Sequence, residues 1–346
     1  MKNDKFSTEN RKRDHINLTI NREVGFRNKT NGFENWDLIH CALPEINFSE
    51  VSTETKFLNK TISFPLIISS MTGGYEESTK INKILGEVAE KFKLPIGVGS
   101  QRQAIESSEF HNSFKIIRKV APSVPIIGNI GAAEIANLKN VSSIKKLAEL
   151  ISADAFAVHL NPLQEFLQPE GNTNFAGVLN GIEKLVKELK IPIIVKEIGA
   201  GISKQVAIKL LNVGVNIIDI AGAGGTSWAG VEILRRKNKN SFNQFWDWGI
   251  PTSDALIEVA SLKEKYPNLK IISSGGVCDG ITMAKSIALG GNYFGVARPL
   301  IIELMKNGKN GIEELILNWK KEFSGAMFLV GAKNISELNK EKIKIL

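Results

Sequence analysis

From Pro65 onward, short apolar runs rich in β-branched residues alternate with longer stretches in which apolar side chains recur every three or four positions. The runs are PLIISSM (65–71), LPIGVGS (94–100), PIIGNIG (125–131), ADAFAVHL (153–160), PIIVKEIG (192–199), NIIDIAGAGG (216–225), KIISSGG (270–276) and NYFGVARPL (292–300). None alternates apolar with polar, as a strand covered on both faces should not. Between them STKINKILGEVAEKFK, SSIKKLAELI, FAGVLNGIEKLVKELK, KQVAIKLLNVG, SDALIEVASLKEKY and ITMAKSIALG carry the helical period. Thr252 or Ser253 reads as an N-cap, and Gly214 and Gly290 sit where helices end. Eight strand–helix units predict a TIM (β/α)8 barrel, with chemistry at the strand C-termini. The alternative, an open doubly wound sheet, is disfavoured because no GxGxxG turn follows the first strand.

Two stretches break the rhythm. Residues 1–64 are polar, with few long apolar runs, and read as an N-terminal arm and extension packed on a barrel of residues 65–346. The connection after the sixth run, TSWAGVEILRRKNKNSFNQFWDWGIPT (226–252), is far longer than ordinary loops and reads as a long lid or binding loop. Past the eighth run, GIEELILNWKKEFSGAMFLVGAKNISEL reads as a closing helix and a short terminal segment.

Composition narrows the class without choosing a function. A length of 346 residues and 43% hydrophobic content suit one large barrel. No run reaches the roughly 18–20 apolar residues of a membrane span, and the first fifteen residues lack a secretory core, so a cytoplasmic enzyme is expected. Cys41 and Cys278 have no CxxC or Cys/His spacing around them, which argues against a disulfide framework or a zinc site. A net charge of +8 suits an anionic partner. The cations are dispersed and no nucleic-acid motif is present, so nucleic acid is not expected and a phosphorylated small molecule is.

The strand ends supply the candidate chemistry. They are Ser70-Met71-Thr72-Gly73-Gly74, Ser100-Gln101-Arg102, Asn129, then His159, Asn161, Gln164 and Glu165, then Lys196-Glu197, Thr226, Ser273 to Gly276, and Gly295 with Ala297-Arg298. Glycines after strands seven and eight, each followed by a helix, match the phosphate site of such barrels, although tight turns alone would also call for glycine. Lys196 lies in an apolar strand, where charge is costly unless it faces a site. It can stabilise negative charge on a cofactor or form a Schiff base, and pairing with Glu197 is disfavoured because neighbours on a strand point to opposite faces. Glu165 is the candidate ligand for a hard cation such as Mg²⁺. Glu232 is a candidate acid or base or simply a solvated charge, and of the tryptophans Trp228 alone invites a site role. Arg11-Lys12-Arg13-Asp14-His15 is either a solvated basic cluster or an arm that presents cations to a phosphate.

Taken together, RKRDH, SSMTGG, GVGSQRQ, GNIGA, HLNPLQE, VKEIGAG, AGAGGTSW, SSGGV and GVARPL resemble, in order and over nearly the whole chain, the type 2 isopentenyl-diphosphate delta-isomerases. The resemblance implies FMN on Ser70, Met71, Thr72, Gly73, Ser100, Asn129, Lys196 and Thr226, with its phosphate on Gly275, Gly276, Val277, Ala297 and Arg298. It implies a substrate diphosphate on Arg11, Lys12, Ser100, Gln101, Arg102, His159 and Asn161, and Mg²⁺ on Glu165. Gln164 would lie beside the allylic carbons, with Glu232 and His159 the further catalytic candidates, His159 as an orienting group. It further implies NADPH as the flavin's reductant and a homo-oligomer, a tetramer or larger. The rivals are an FMN oxidoreductase of the α-hydroxy-acid dehydrogenase type, a Schiff-base aldolase using Lys196, and a non-catalytic anion or nucleic-acid binder. The first needs a His-Arg pair after a late strand, whereas the four histidines here are His15, His40, His111 and His159.

Overall fold

The computed structural model describes residues 8–236 and 241–346; the first seven residues of the expected arm and residues 237–240 of the long connection lie outside the described residues. All eight expected runs form strands: β1 (Leu66–Ile68), β2 (Ile96–Gly97), β3 (Ile126–Gly131), β4 (Ala155–His159), β5 (Ile193–Lys196), β6 (Ile217–Asp219), β7 (Lys270–Ser274) and β8 (Tyr293–Val296). They pair in parallel around a closed barrel in chain order, β8 meeting β1. The six helical stretches are helices, and Gly214 and Gly290 take φ of 91° and 108°, as residues ending a helix in the left-handed region do. Thr252 and Ser253 fall inside the first turn of helix Thr252–Ala260 rather than at its cap, which is Pro251. The Thr252 hydroxyl instead donates to the carbonyls of Ala223 (3.1 Å) and Gly275 (2.6 Å).

Successive strand residues face opposite sides, so the apolar residues divide into two cores. Leu66, Ile68, Ile126, Phe156, Val158, Ile193 and Val195 point outward and pack under the helices. Ile67, Ile127, Ala155, Ala157, Ile194, Ile272 and Tyr293 point inward and fill the barrel. The inner core is closed at the strands' N-terminal end by an antiparallel hairpin of Thr55–Phe57 and Lys60–Ile62. Its Phe57 ring meets Tyr293 edge to face at 5.0 Å, and the Tyr293 hydroxyl donates to the Lys56 carbonyl at 2.6 Å. The described segments outside the barrel are tied to each other and to it. Trp36–Leu38 pairs with Ile343–Ile345, and the closing helix Arg298–Leu329 is broken at Gly308, where φ is 68°. The first described element is a helix, Thr8–Asn21, which the sequence pattern does not show because its apolar residues are few. The long connection after β6 likewise has internal structure, a helix over Trp228–Arg235. Among the described residues no helix is long and apolar enough to cross a membrane.

One ionic knot holds the lower rim. Arg118 donates to the carbonyls of Ala121, Pro122, Val124 and Ser152 and to Asp154 Oδ2 at 2.6 Å, while Lys60 reaches Asp154 Oδ1 at 2.8 Å. Burial pushes the Asp154 carboxyl up, but Lys60, the Ile126 N–H and Arg118 outweigh it and hold the group below its ordinary value. A carboxyl depressed in the folded chain stabilises it above the unfolded value, near 3.9, and loses that contribution as pH falls. Replacing Arg118 by Met is therefore expected to cost about 2 kcal/mol at neutral pH. Urea denaturation should show the deficit shrinking towards pH 3, with turnover unchanged because the knot lies at the end of the barrel away from the cavity.

Candidate active site

Two residues beyond the inner apolar core, the same inward positions become polar. Ile127 is followed by Asn129, Ala157 by His159, Ile194 by Lys196, Ile217 by Asp219 and Ile272 by Ser274. Parallel register sets His159 beside Lys196 and Lys196 beside Asp219. Asn129 turns its amide nitrogen to the Val98 carbonyl (3.3 Å), which leaves its oxygen to accept from His159 Nδ1 at 2.9 Å. Lys196 Nζ donates to the Glu197 carbonyl (2.6 Å) and lies 3.5 Å from Asp219 Oδ2, whose other oxygen accepts from Ser274 Oγ at 2.5 Å. The lysine's ionic partner is thus Asp219, on the next strand. The Glu197 carboxylate faces away, accepting from the backbone N–H groups of Ile198 and Gly199 at 2.7 and 2.6 Å and from that of Ala200.

Above this ring lies a cavity of about 520 Å³, within the usual range of small-molecule sites. Its β6–β8 side is lined by Gly224, Gly225, Gly275, Gly276, Val277 and the segment from Gly295 to Pro299. Gly275 and Gly276 have φ of 104° and 82°, and a Cβ on either would lie 2.1 Å from the Gly222 carbonyl oxygen or 2.5 Å from that of Gly224. Only glycine fits this turn. Successive left-handed residues turn backbone N–H groups towards one point, and the closing helix begins beside them at Arg298, so this side suits a phosphate monoester. With Ser70, Met71, Thr72, Asn129, Lys196 and Thr226 lining the middle, the residues present fit FMN.

The β2–β4 side is cationic. The helix Thr8–Asn21 lies across the mouth and brings Arg11, Lys12 and His15 to the cavity, opposite Arg102 and His159. Lys12 donates to the carbonyls of Gly73 and Ser100, the latter at 2.9 Å. Burial, then Arg11 and Arg102, lower its ammonium to about 7, with Glu106 opposing. Burial and Arg102 likewise lower Arg11. Burial, then Lys196, Arg11 and Lys12, lower His159 to about 3, so it is neutral at ordinary pH. With Nδ1–H donated to Asn129, its Nε2 carries the lone pair. Arg11 and Lys12, lowered first by burial and then by their cationic neighbours, form a positive region that an entering anion stabilises.

The segment after β4 folds back on itself. Gly171 sits so close that a Cβ there would lie 1.9 Å from the Glu165 carbonyl oxygen. Glu165 thereby accepts from the Asn161 amide (3.1 Å) and the Asn172 N–H (2.6 Å) while lining the cavity. Among the described residues no three acidic, His or Cys side chains are grouped to hold a metal. Glu165 supplies one carboxylate, and Asn161 Oδ1 beside it is buried without a partner. Such a donor set fits Mg²⁺ completed by a ligand's phosphate oxygens and water. Gln164 also lines the cavity, donating through Nε2 to Glu232 at 3.2 Å. Glu232 is wholly buried, accepting from Arg235 Nη1 and bonded to His15 Nε2, each at 2.7 Å. Burial pushes its carboxyl up, but His15 and Arg235 outweigh it and hold the group at about 2.

Of the residues given a cofactor, substrate, metal or catalytic role by the resemblance, three do not line the cavity. Gly73 is backed onto Phe114 and gives only its carbonyl to Lys12. Gln101 is fully buried, its amide spent on the Leu147 carbonyl and the Asn129 N–H. Glu232 is neither solvated nor on a loop, but behind the wall as the anchor of His15 and Gln164. Arg298 lines the cavity, yet its guanidinium turns to the carbonyls of Thr19 (3.0 Å) and Arg22 (3.1 Å). The remaining positions line the cavity together, from Arg11 and Lys12 through Ser100, Arg102, Asn161, Gln164 and Glu165 to Val277 and Ala297. Sequence reasoning missed Asp219, which the two-residue alternation within NIID could have shown. It also missed Gln168, buried at the wall with an unpartnered Nε2, and the lining role of His15, stacked edge to face on Trp228 at 5.1 Å.

A family model described as FMN-dependent dehydrogenase matches residues 141–345. Among curated proteins, the isopentenyl-diphosphate delta-isomerase of Pelodictyon phaeoclathratiforme is 44% identical over 343 residues, covering 96% of this chain and 95% of that protein. The enzyme of that name from Pyrococcus furiosus is 45% identical over 343 residues, covering 96% of this chain and 86% of its own. Among solved structures, the recombinant flavin-binding domain of baker's yeast flavocytochrome b2 has a TM-score of 0.70 at 17% identity, covering 96% of this chain and 82% of that one. A mandelate oxidase variant with an FMN monooxide adduct has a TM-score of 0.66 at 15% identity, covering 95% of each chain. Identities that low show a shared fold alone.

Two outcomes test the electrostatics. Calorimetric titration with inorganic pyrophosphate, in buffers of differing ionisation enthalpy, is expected to show proton uptake between pH 7 and 8 as Lys12 recharges, absent in Lys12→Met. For Glu232, ionised at neutral pH and depressed on folding, Glu232→Gln should be less stable than wild type at pH 7, with the gap in denaturant midpoint narrowing from about pH 5 towards pH 2. A pH-independent gap would contradict the ion-paired assignment.

Proposed function

The chain belongs to the FMN-dependent, type 2 isopentenyl-diphosphate delta-isomerases, and on that footing we propose that its cavity converts isopentenyl diphosphate to dimethylallyl diphosphate. The observation that carries the reading is one cavity with two anion-collecting sides, a glycine cradle on β6–β8 and a cluster of cations, Arg11, Lys12 and Arg102, on the side of β2–β4. The first suits a cofactor monophosphate, the second a substrate diphosphate. The reaction adds a proton at the terminal methylene carbon and removes one from the carbon two positions away, so no electrons are gained or lost. When bound, reduced FMN supplies the group that gives and takes these protons.

The chain's own residues bind and position. Arg11, Lys12 and Arg102 neutralise the diphosphate, releasing Arg102 from Glu106 and Glu134, which hold it at 3.0 and 3.2 Å. Asn161 and Glu165 are the residues that would hold Mg²⁺, which would supply further positive charge for the diphosphate. Lys196, at mid-cavity, favours an anionic flavin. Gln164, steadied by Glu232, flanks the carbons that exchange protons, and Glu232, held at about 2, acts as a fixed charge rather than an acid. His159, neutral and oriented by Asn129, offers a hydrogen-bond acceptor. The same reading carries NADPH as the flavin's reductant, assembly into a homo-oligomer, and action in the cytoplasm. An α-hydroxy-acid oxidation lacks the His-Arg pair it would need after a late strand. His111 is bonded to the Ala104 carbonyl at 3.0 Å, His15 is held by Glu232, and neither these nor His40 stands at the ends of β6–β8.

The test is an anaerobic assay with isopentenyl diphosphate, FMN, NADPH and Mg²⁺, leaving out each in turn. Dimethylallyl diphosphate should form only when the flavin is reduced. Gln164→Ala should retain FMN while turnover falls about 100-fold. No product from wild type with reduced FMN bound would reject the reading, and full turnover in the variant would reject the placement of Gln164.

A further inference from the structure

The C-terminal end of the arm helix Thr8–Asn21 needs a cation that its own sequence does not supply, since its last turn contains no basic residue. The last carbonyls of a helix lack intrahelical partners and carry partial negative charge, which a guanidinium stabilises well. Arg298 provides that group from the opposite end of the molecule's sequence. Its Nε and Nη2 donate to the carbonyls of Thr19 and Arg22 at 3.0 and 3.1 Å. The backbone of the same residue opens the closing helix beside Ala297, on the glycine-lined side of the cavity. A second contact repeats the arrangement. Asn31, ten residues past the arm helix, donates its amide to the Gly276 carbonyl at 2.8 Å, and a Cβ on Gly224 would lie 2.3 Å from the Asn31 nitrogen.

The residues that would receive the flavin phosphate are therefore those that fix the lower end of the arm, while its middle brings Arg11 and Lys12 to the other side of the cavity. We propose that Arg298 is a positioning residue that couples occupation of the phosphate cradle to closure of the arm helix, so that the substrate-binding cations are assembled only on a flavin-loaded protein. An anion at Gly275–Val277 and Ala297 fixes the backbone of Arg298. A fixed Arg298 holds the carbonyls of Thr19 and Arg22, and the arm helix stays docked. Reciprocity requires that a docked arm in turn tighten FMN binding by the same factor. The proposal rests on the reading of the β6–β8 side as the FMN phosphate site.

Limited trypsin digestion provides the test, because Arg11, Lys12, Arg13 and Arg22 become cleavable only when the arm undocks. In wild type, FMN is expected to slow arm cleavage about tenfold. Arg298→Ala, with FMN binding followed separately by flavin fluorescence, should bind FMN yet lose that protection and show a raised KM for isopentenyl diphosphate. Arg298→Lys, which cannot fork to both carbonyls, should fall between the two. Equal cleavage of wild type with and without bound FMN overturns the proposal, as does wild-type protection in Arg298→Ala. Should Arg298→Ala not fold, wild-type protection in Arg298→Lys overturns it. Failure of wild type to bind FMN at all would instead sink the flavin reading, so the two are separable.

Discussion

Two residues of strand separate the apolar filling of this barrel from the polar ring above it, and every property of the cavity depends on that spacing. Because inward positions recur every second residue, the chain can place Ile194 in a dry core and Lys196 at its surface only if the core stops at one level all the way round. The hairpin of Thr55–Phe57 and Lys60–Ile62 enforces this level from below, with Phe57 and Tyr293 filling the space. Asn129, His159, Lys196, Asp219 and Ser274 then stand at one height, each bonded to a neighbour. A one-residue slip in β5 or β6 would turn Lys196 or Asp219 out of the cavity and into the apolar layer under the helices.

Charge balance above the ring is deliberately uneven. On the lower rim the cations are matched, as Arg118 and Lys60 are by Asp154. At the cavity mouth burial and neighbouring guanidinium groups lower Arg11 and Lys12, Arg102 is held by Glu106 and Glu134, and the other carboxylates nearby are already bonded: Glu165 with Asn161 and Asn172, Glu232 with His15 and Arg235. Glu232 is the counterpart of this positive region. Wholly buried and held by side chains from two helices besides its own segment, it ties the arm helix to Gln164 at the cavity wall without contributing an exposed charge.

The barrel was legible because its strands are buried on both faces and its helices are strongly periodic, which are the signals least altered by tertiary context. The arm helix was not, since Thr8–Asn21 owes its shape to docking on the cavity mouth rather than to an apolar stripe. The strand-end candidates, once the fold is known, follow almost mechanically. What sequence cannot give is the direction of a side chain in a loop. Gln101 follows Ser100 directly, yet one faces the cavity and the other braces Asn129. Nor could it show that the carboxylate of Glu232 is enclosed, because its partners lie some 70 and 220 residues away in the chain, at Gln164 and His15.

The bridge between Gly25 and Thr226, with the Ser227 N–H donating to the Val24 carbonyl at 2.7 Å and the Ser253 N–H to the Asn31 carbonyl at 2.9 Å, has a consequence for how the molecule is made. These partners of residues 24–31 leave the ribosome some 200 residues later. The segment must wait in water through the synthesis of six strands, and then settle last against loops already shaped by the barrel. A greasy segment left exposed for that interval would invite aggregation. Its richness in Asn, Arg, Lys and Thr is as well suited to the delay as to the contacts that end it.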